Sequence, residues 1–302
     1  MAMLISVCLC TYKRPALQKT LVSLQEQNLP DHCSLEIVVV DNDIDQSGRA
    51  ICENFKDSKN TVRYSVNGER NLSSVRNSTL ENAEGELLAF IDDDEWADPD
   101  WIKSLYLAMQ RYGADAVFGR VNVLYPDTAP EWIIDGDLFR KDIQKTGALL
   151  TKGATSNALM KSIWVKHNGF RFDTRFGKSG GEDTDFFHRM YQQGAKLVFE
   201  NQAIVSEIVE SHRLNTDYLV KQNIRIGQTH WNYLWSKQRG LAFIKTGCFV
   251  LAQIVGAGLF ALGNLPFGKK RYMRWYLLLV RNLTKIKTAV AGGNTVELYG
   301  NH

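Results

Sequence analysis

Along the first part of the chain, short apolar runs rich in β-branched residues alternate with stretches whose apolar positions recur at helical spacing. The runs at 4–10, 35–40, 61–66, 87–91 and 114–118 predict strands. Between them, 15–27, 47–55, 72–83 and 99–112 predict helices, and Pro15 and Pro99 suit a first helical turn. Alternation of this kind builds an α/β fold, a mostly parallel sheet of nucleotide-binding style flanked by helices. Residues 162–168 and 183–193 read as two more helices. The segment 119–150, with Pro126, Pro130 and Trp132, reads as irregular and suited to one wall of a pocket. A long basic and aromatic stretch, 215–238, leads into 247–263, seventeen residues without a charge.

Composition sharpens this picture. A chain of 302 residues, 44% apolar and with only six prolines, buries a sizeable core in one large domain or two, which excludes disorder and collagen. The net charge of +3 hides an asymmetry: residues 1–217 hold 24 basic and 32 acidic residues, whereas 218–296 hold 12 basic residues and no acidic one. Two regions with different partners follow, 1–217 and a basic, apolar, helical 218–302. The cysteines, Cys8, Cys10, Cys33, Cys52 and Cys248, are odd in number and lack a Cys-x-x-Cys pair. Neither a disulfide framework nor a zinc site is indicated, and a reducing cytoplasm fits. The chain start has no basic segment and too short an apolar run for a signal peptide, so it reads as a buried first strand.

Polar residues gather just after the strands, at Thr11 to Arg14, at Asp41 to Asp45 and at Asp92 to Glu95. In open α/β sheets ligands bind at the carboxyl ends of strands. Neither Gly-x-Gly-x-x-Gly nor a P-loop is present, so another device must hold any phosphate. Asp92, Asp93, Asp94 and Glu95 follow the apolar run Leu-Leu-Ala-Phe-Ile, which crowds carboxylates at one strand end. Crowded hard oxygen ligands suit Mg²⁺ or Mn²⁺, and a diphosphate held through such an ion would explain the missing P-loop. The alternative is a solvated acidic turn at the amino end of the next helix. Asp41 closes its strand where a carboxylate can meet a nucleobase or ribose, or simply ends the strand. Glu182 and Asp183, in Gly-Gly-Glu-Asp-Thr-Asp, enter a helix behind a glycine hinge, either as caps or with a general base for a sugar hydroxyl among them.

Together these residues resemble the inverting family-2 glycosyltransferases of GT-A fold, over about residues 5–217. The ordered motifs are Val-Cys-Leu-Cys-Thr-Tyr-Lys-Arg-Pro, Val-Val-Val-Asp-Asn-Asp at 38–43, Val-Arg-Asn at 75–77 with Gly85-Glu86, Asp-Asp-Asp at 92–94 and Gly-Glu-Asp at 181–183. The resemblance implies that Thr11, Arg14 and Asp41 belong to the donor nucleotide site, with Arg76 a donor-pocket residue. Asp92 to Asp94 match the Asp-x-Asp element, Asp93 facing the ribose and Asp94 the metal. Asp183 matches the catalytic base, with Glu182 beside it contacting the acceptor or orienting the site. Gly153 to Asn157 falls where acceptor-side residues are expected. His212 is a further metal or diphosphate contact, or an ordinary surface residue. His188, Trp231, Tyr233 and Trp235 read as packing.

The resemblance also implies a single displacement from a nucleoside-diphosphate sugar, UDP by family habit. The chain is similar to bacterial transferases of exopolysaccharide and O-antigen assembly, of the succinoglycan type, whose acceptors are polyprenyl-diphosphate-linked saccharides. The 17-residue run is short of the ~20 residues of a full span. Its flanks, Lys245 on one side and Lys269, Lys270, Arg271 and Arg274 on the other, suit anionic headgroups, and Arg274-Trp-Tyr-Leu-Leu-Leu-Val-Arg places aromatics beside cations. Peripheral or monotopic attachment at the cytoplasmic face of the plasma membrane is expected, against a soluble helical subdomain. Basic residues interleaved with apolar runs do not form a nucleic-acid face, so no nucleic acid is expected. The rival functions are a nucleotidyltransferase that makes the sugar nucleotide and a membrane scaffold with a relic nucleotide pocket.

Overall fold

A computed structural model describes residues 3–141, 143–237 and 240–291, apart from the side chains of 232–243. In chain order the elements are β1 Met3–Thr11, α1 Leu17–Gln25, β2 Cys33–Asp41, α2 Arg49–Glu53, β3 Thr61–Val66, α3 Leu72–Asn82, β4 Leu87–Ile91, β5 Glu95–Ala97, α4 Trp101–Tyr112 and β6 Ala116–Leu124. There follow α5 Glu131–Gly136, β7 Leu149–Leu150, β8 Asn157–Lys161, α6 Ile163–Lys166, α7 Glu182–Gln192, β9 Leu197–Ile208, α8 Thr216–Lys237, α9 Gly240–Asn264 and α10 Lys269–Val290. The chain divides into two compact units, one of residues 3–123 with 141–208 and one of 124–140 with 209–291.

In the first unit the predicted strands form the sheet, whose order is β3-β2-β1-β4-β8-β6-β9-β5, with β7 beside β9. The central run β3-β2-β1-β4 is wholly parallel. Strands of this kind are buried on both faces, which is why β1 and β2 read as mainly apolar runs and not as an apolar–polar alternation. Alternate side chains serve two cores. Ile5, Val7, Leu9, Ile37 and Val39 pack with Leu17 and Leu21 of α1 and Trp101 and Leu105 of α4. Cys8, Val38, Leu88 and Phe90 face the other way, onto Leu80 of α3 and Phe186 and Phe187 of α7. The result is the expected helix–sheet–helix layering.

Four strands, β5, β7, β8 and β9, extend this frame beyond the sequence expectation. β8 enters antiparallel to β4, with Ile91 opposite Asn157, and β9 pairs antiparallel with β5 and β7. The segment 119–150 is less irregular than its composition suggests, because β6 continues to Leu124 and α5 forms one short helix.

In the second unit α10 packs against α8, α9 and α5. Gly268, at φ 89°, turns the chain from α9 into α10. The α8–α10 seam is polar: Asn223, Asn282, Thr284 and Thr288 are buried, and the Arg281 guanidinium donates to Asn223 Oδ1 at 2.8 and 3.0 Å. Gly227 permits that contact, since a Cβ there would lie 2.5 Å from the Arg281 carbonyl oxygen. Among the described residues one stretch, Ile244–Phe267, is long and apolar enough to cross a membrane. Trp231 is buried, as its packing assignment requires. Tyr233 and Trp235 lie outside the described side chains.

Candidate active site

In the sheet β1 has β2 on one side and β4 on the other, so the chain reverses its direction of strand addition between β1 and β4. That reversal opens a crevice at the carboxyl ends of the strands, the usual ligand position in open α/β sheets. Thr11 ends β1, and the triple aspartate follows β4. Thr11 Oγ1 donates to Asp93 Oδ2 at 2.7 Å, and Arg14 lies 3.8 Å from Asp93 and 3.9 Å from Asp94. Burial lifts the Asp93 carboxyl to about 7, helped by Asp94 and Asp92 and opposed by the Thr11 hydrogen bond and Arg14. The backbone of this turn is fixed from α1, where the Thr20 hydroxyl contacts the carbonyl oxygens of Asp93 at 3.1 Å and Glu95 at 2.6 Å.

The second acidic group arrives from far along the chain. Gly180 and Gly181 take φ of 81° and 93°, a left-handed pair that turns the loop sharply into α7. Glu182, Asp183 and Asp185 then occupy the first helical turn, where carboxylates favour the helix amino end. Phe186 and Phe187 anchor the helix below, with Phe172 stacked on Phe186 at 4.3 Å and Phe118 edge-on to Phe187 at 4.7 Å. From α3, Asn77 exchanges two hydrogen bonds with the Phe172 backbone, and Ser73 and Asn71 bond the carbonyls of Asp173 and Thr174. This docks the loop ahead of α7 against the helix that carries Arg76.

Arg76 joins the two groups. Its guanidinium pairs with Glu182 Oε1 and lies 3.7 Å from Asp92 Oδ1. Burial alone would lower the guanidinium's pKa, yet Glu182 and Asp92 hold it above its ordinary value. Burial likewise raises the Glu182 carboxyl, and Arg76 opposes that shift. Glu182 Oε2 is buried and has no hydrogen-bond partner among the described residues. Asp183, partly open to solvent, accepts the Thr184 N–H on Oδ1 at 2.6 Å.

The remaining expected residues divide. Asp41 is fully buried and takes the N–H groups of Asp43 and Gly48 and the Tyr64 hydroxyl, which fills three of its roughly four acceptor positions. It shapes the loop from β2 to α2. Gly48 packs closely there, since a Cβ would lie 3.1 Å from Asp41 Oδ2 and from Thr11 Cγ2. Within 153–157, Asn157 is structural: it bonds Trp101 Nε1 and the carbonyls of Arg120 and Ala203. Thr155 lines a small cavity with Cys10, Arg76 and Asp92. His188 Nδ1 lies 3.0 Å from the Thr151 carbonyl. His212 belongs to the second unit, where its Nδ1 lies 2.9 Å from Glu210 and its ring packs edge-on to Tyr218.

Sequence reasoning missed Thr20 and Tyr64, and it placed Glu95 in the acidic cluster without Lys141 and Glu207 beside it. Glu95 is buried, its carboxyl pushed well above the usual range by burial and by Asp92 and opposed by Lys141, which pairs with Glu207 at 3.0 Å. The only sequence signal was the unusual fourth acid after the three aspartates. Among the described residues no group of three His, Cys, Asp or Glu side chains forms a ready-made metal cage.

Comparison with known proteins agrees with this geometry. Residues 6–171 match glycosyl transferase family 2. The chain is 39% identical over 239 residues to the succinoglycan biosynthesis protein ExoM of Rhizobium meliloti, covering 78% of this chain and 77% of that one. A shorter match, 29% identical over 94 residues and about three-tenths of each chain, is to a Campylobacter jejuni GalNAc(5)-diNAcBac-PP-undecaprenol beta-1,3-glucosyltransferase. Among solved structures, S. aureus TarS 1-349 in complex with UDP-GlcNAc superposes with a TM-score of 0.57 at 16% identity, covering 99% of this chain and 97% of that one. GalNAc-T7 with UDP, GalNAc and Mn²⁺ gives 0.55 at 15% identity, over 74% of this chain and 48% of that one. With its parallel sheet, its strand-end acidic turn and these matches, the chain belongs to glycosyltransferase family 2 and has the GT-A fold.

Proposed function

We propose that the protein is an inverting glycosyltransferase of exopolysaccharide assembly that transfers a sugar from a UDP-sugar to a polyprenyl-diphosphate-linked saccharide at the cytoplasmic face of the membrane. Residues 1–217 supply the transferase domain and 218–302 the membrane-associated region. The observation that carries the reading is the Arg76 bridge, which fixes the Asp92 to Asp94 turn beside the amino end of α7. ExoM supports exopolysaccharide assembly, the Campylobacter jejuni glucosyltransferase, named for an undecaprenol-linked acceptor, supports the acceptor class, and the TarS complex supports the donor.

Thr11, Arg14 and Asp93 meet the donor nucleotide, and Asp41 holds the loop that walls it. The acidic turn fits a divalent cation that arrives with its ligand, because Mg²⁺ is commonly held by one or two carboxylates together with substrate phosphates and waters. In this reading Asp94 would hold Mg²⁺ or Mn²⁺, with the hard carboxylate oxygens of Asp93 beside it. Such an ion, when bound, neutralises charge on the departing diphosphate.

Asp183 accepts the proton of an acceptor hydroxyl while that oxygen bonds to the donor's anomeric carbon. The bond from that carbon to the diphosphate oxygen breaks on the opposite face, so the configuration inverts. Glu182, buried and held by Arg76 through Oε1, orients the amino end of α7 that carries Asp183. NMR of the product should show the anomeric configuration opposite to the donor's. Asp183→Asn should keep UDP affinity and lose at least about 100-fold in kcat, the usual worth of a general base. Near-normal turnover in that variant would remove Asp183 from the mechanism.

A further inference from the structure

The second unit carries an open cavity of about 320 Å³ between α5, the end of α9 and the start of α10, at the lower end of the ~300–1,000 Å³ typical of small-molecule sites. Its lining includes Lys270, Arg271, Arg274, Trp275 and Asn264, with Asp135 opposite. Lys270 pairs with Asp135 at 2.9 Å, so the walls hold three cations against one carboxylate.

The same cavity continues into an apolar surface. Along α9, Phe249, Leu251, Val255, Leu259, Phe260 and Leu262 are all more than half exposed, while the inward side packs on α10 through Val250, Ala257 and Ala261. Phe260 stacks on Trp275 at 4.6 Å, which joins that outer face to the cavity wall. Large apolar side chains outside and a polar α8–α10 seam inside invert the usual soluble arrangement and match helices that face lipid. A Trp and several cations at the end of such a helix lie at headgroup depth, and basic pockets between helices there bind lipid phosphates.

We infer that this cavity binds the phosphate head of an anionic membrane lipid, with the lipid's hydrocarbon chain lying along the outer face of α9. The inference deepens the membrane-linked reading above and rests on it. Arg271 and Arg274 supply the anion contacts, Lys270 is shared with Asp135, and Trp275 marks the boundary between head and chain.

The test is flotation of the intact chain with phosphatidylcholine vesicles, with and without phosphatidylglycerol. Wild type should prefer the anionic vesicles, and Arg271→Gln/Arg274→Gln should lower that affinity by at least about ten-fold, the loss of two cations near an anionic surface. Asp135→Asn, which removes the one anionic wall, should strengthen it. Millimolar inorganic diphosphate should not displace the vesicles. Equal binding to both vesicle types, an unchanged preference in the double variant, or no gain in Asp135→Asn overturns the inference. Full displacement by free diphosphate also overturns it, since the cavity would then take a soluble anion. UDP binding measured on the same samples separates this outcome from failure of the transferase reading, and its retention shows that the variants are folded.

Discussion

At the scale of single residues the site depends on Arg76. The buried guanidinium compensates the buried Glu182 carboxylate, which the interior would otherwise exclude, and reaches the half-exposed Asp92. Removing one partner of a buried pair strands the other charge and typically costs 3–5 kcal/mol, roughly. Arg76→Met should therefore lower the unfolding free energy measured in urea by about that amount, and Arg76→Met/Glu182→Gln should recover a large share of it. Equal stability of Arg76→Met and wild type would show that the bridge carries no structural weight. Thr11 and Asp92 to Asp94 were legible in the sequence, because buried apolar runs deliver polar residues to strand ends. The pairing of Arg76 with Glu182 was not, because 106 residues separate the two and neither local pattern points at the other.

At the scale of elements the parallel core was readable, since β1, β2 and β4 are mainly apolar runs, interrupted only by Ser6 in β1 and Ser34 and Glu36 in β2, bounded by polar turns. The antiparallel additions were not. β9 is interrupted by Glu200, Asn201 and Gln202, and β8 is five residues long within a run of small and polar residues. Their places are set by tertiary bonds such as those of Asn157. Register at the other end of the sheet depends on Glu36. Burial opposes ionisation of this carboxyl, but bonds from the Ser6 hydroxyl, the Glu84 N–H and Arg63 outweigh burial and hold it below its ordinary range. A carboxyl depressed in the folded state contributes stability above its unfolded pKa of about 4.3, and that contribution is lost as pH falls through the folded value. Urea unfolding from pH 7 down to pH 3 should thus show a smaller acid loss in Glu36→Gln than in wild type. Parallel curves would mean that these bonds contribute nothing to the pH dependence.

At the scale of the whole molecule, charge divides the chain as the two units do in kind: an acidic α/β unit with a strand-end site, and a basic helical unit with an apolar outer face. Composition made the contrast legible. It did not show that 124–140 packs with the C-terminal helices, since α5 has no sequence link to α10. The intact chain should sediment with membranes, and a fully soluble distribution would contradict the role given to α9. The central claim, however, is a nucleoside-diphosphate site closed by the aspartates after β4. Calorimetric titration of UDP, GDP and TDP into the intact protein, with Mn²⁺, with Mg²⁺ and with EDTA, tests it most directly when repeated on Asp94→Asn. Selective UDP binding that needs both the cation and Asp94 is the expected result; no cation-linked binding of any of the three would contradict the account.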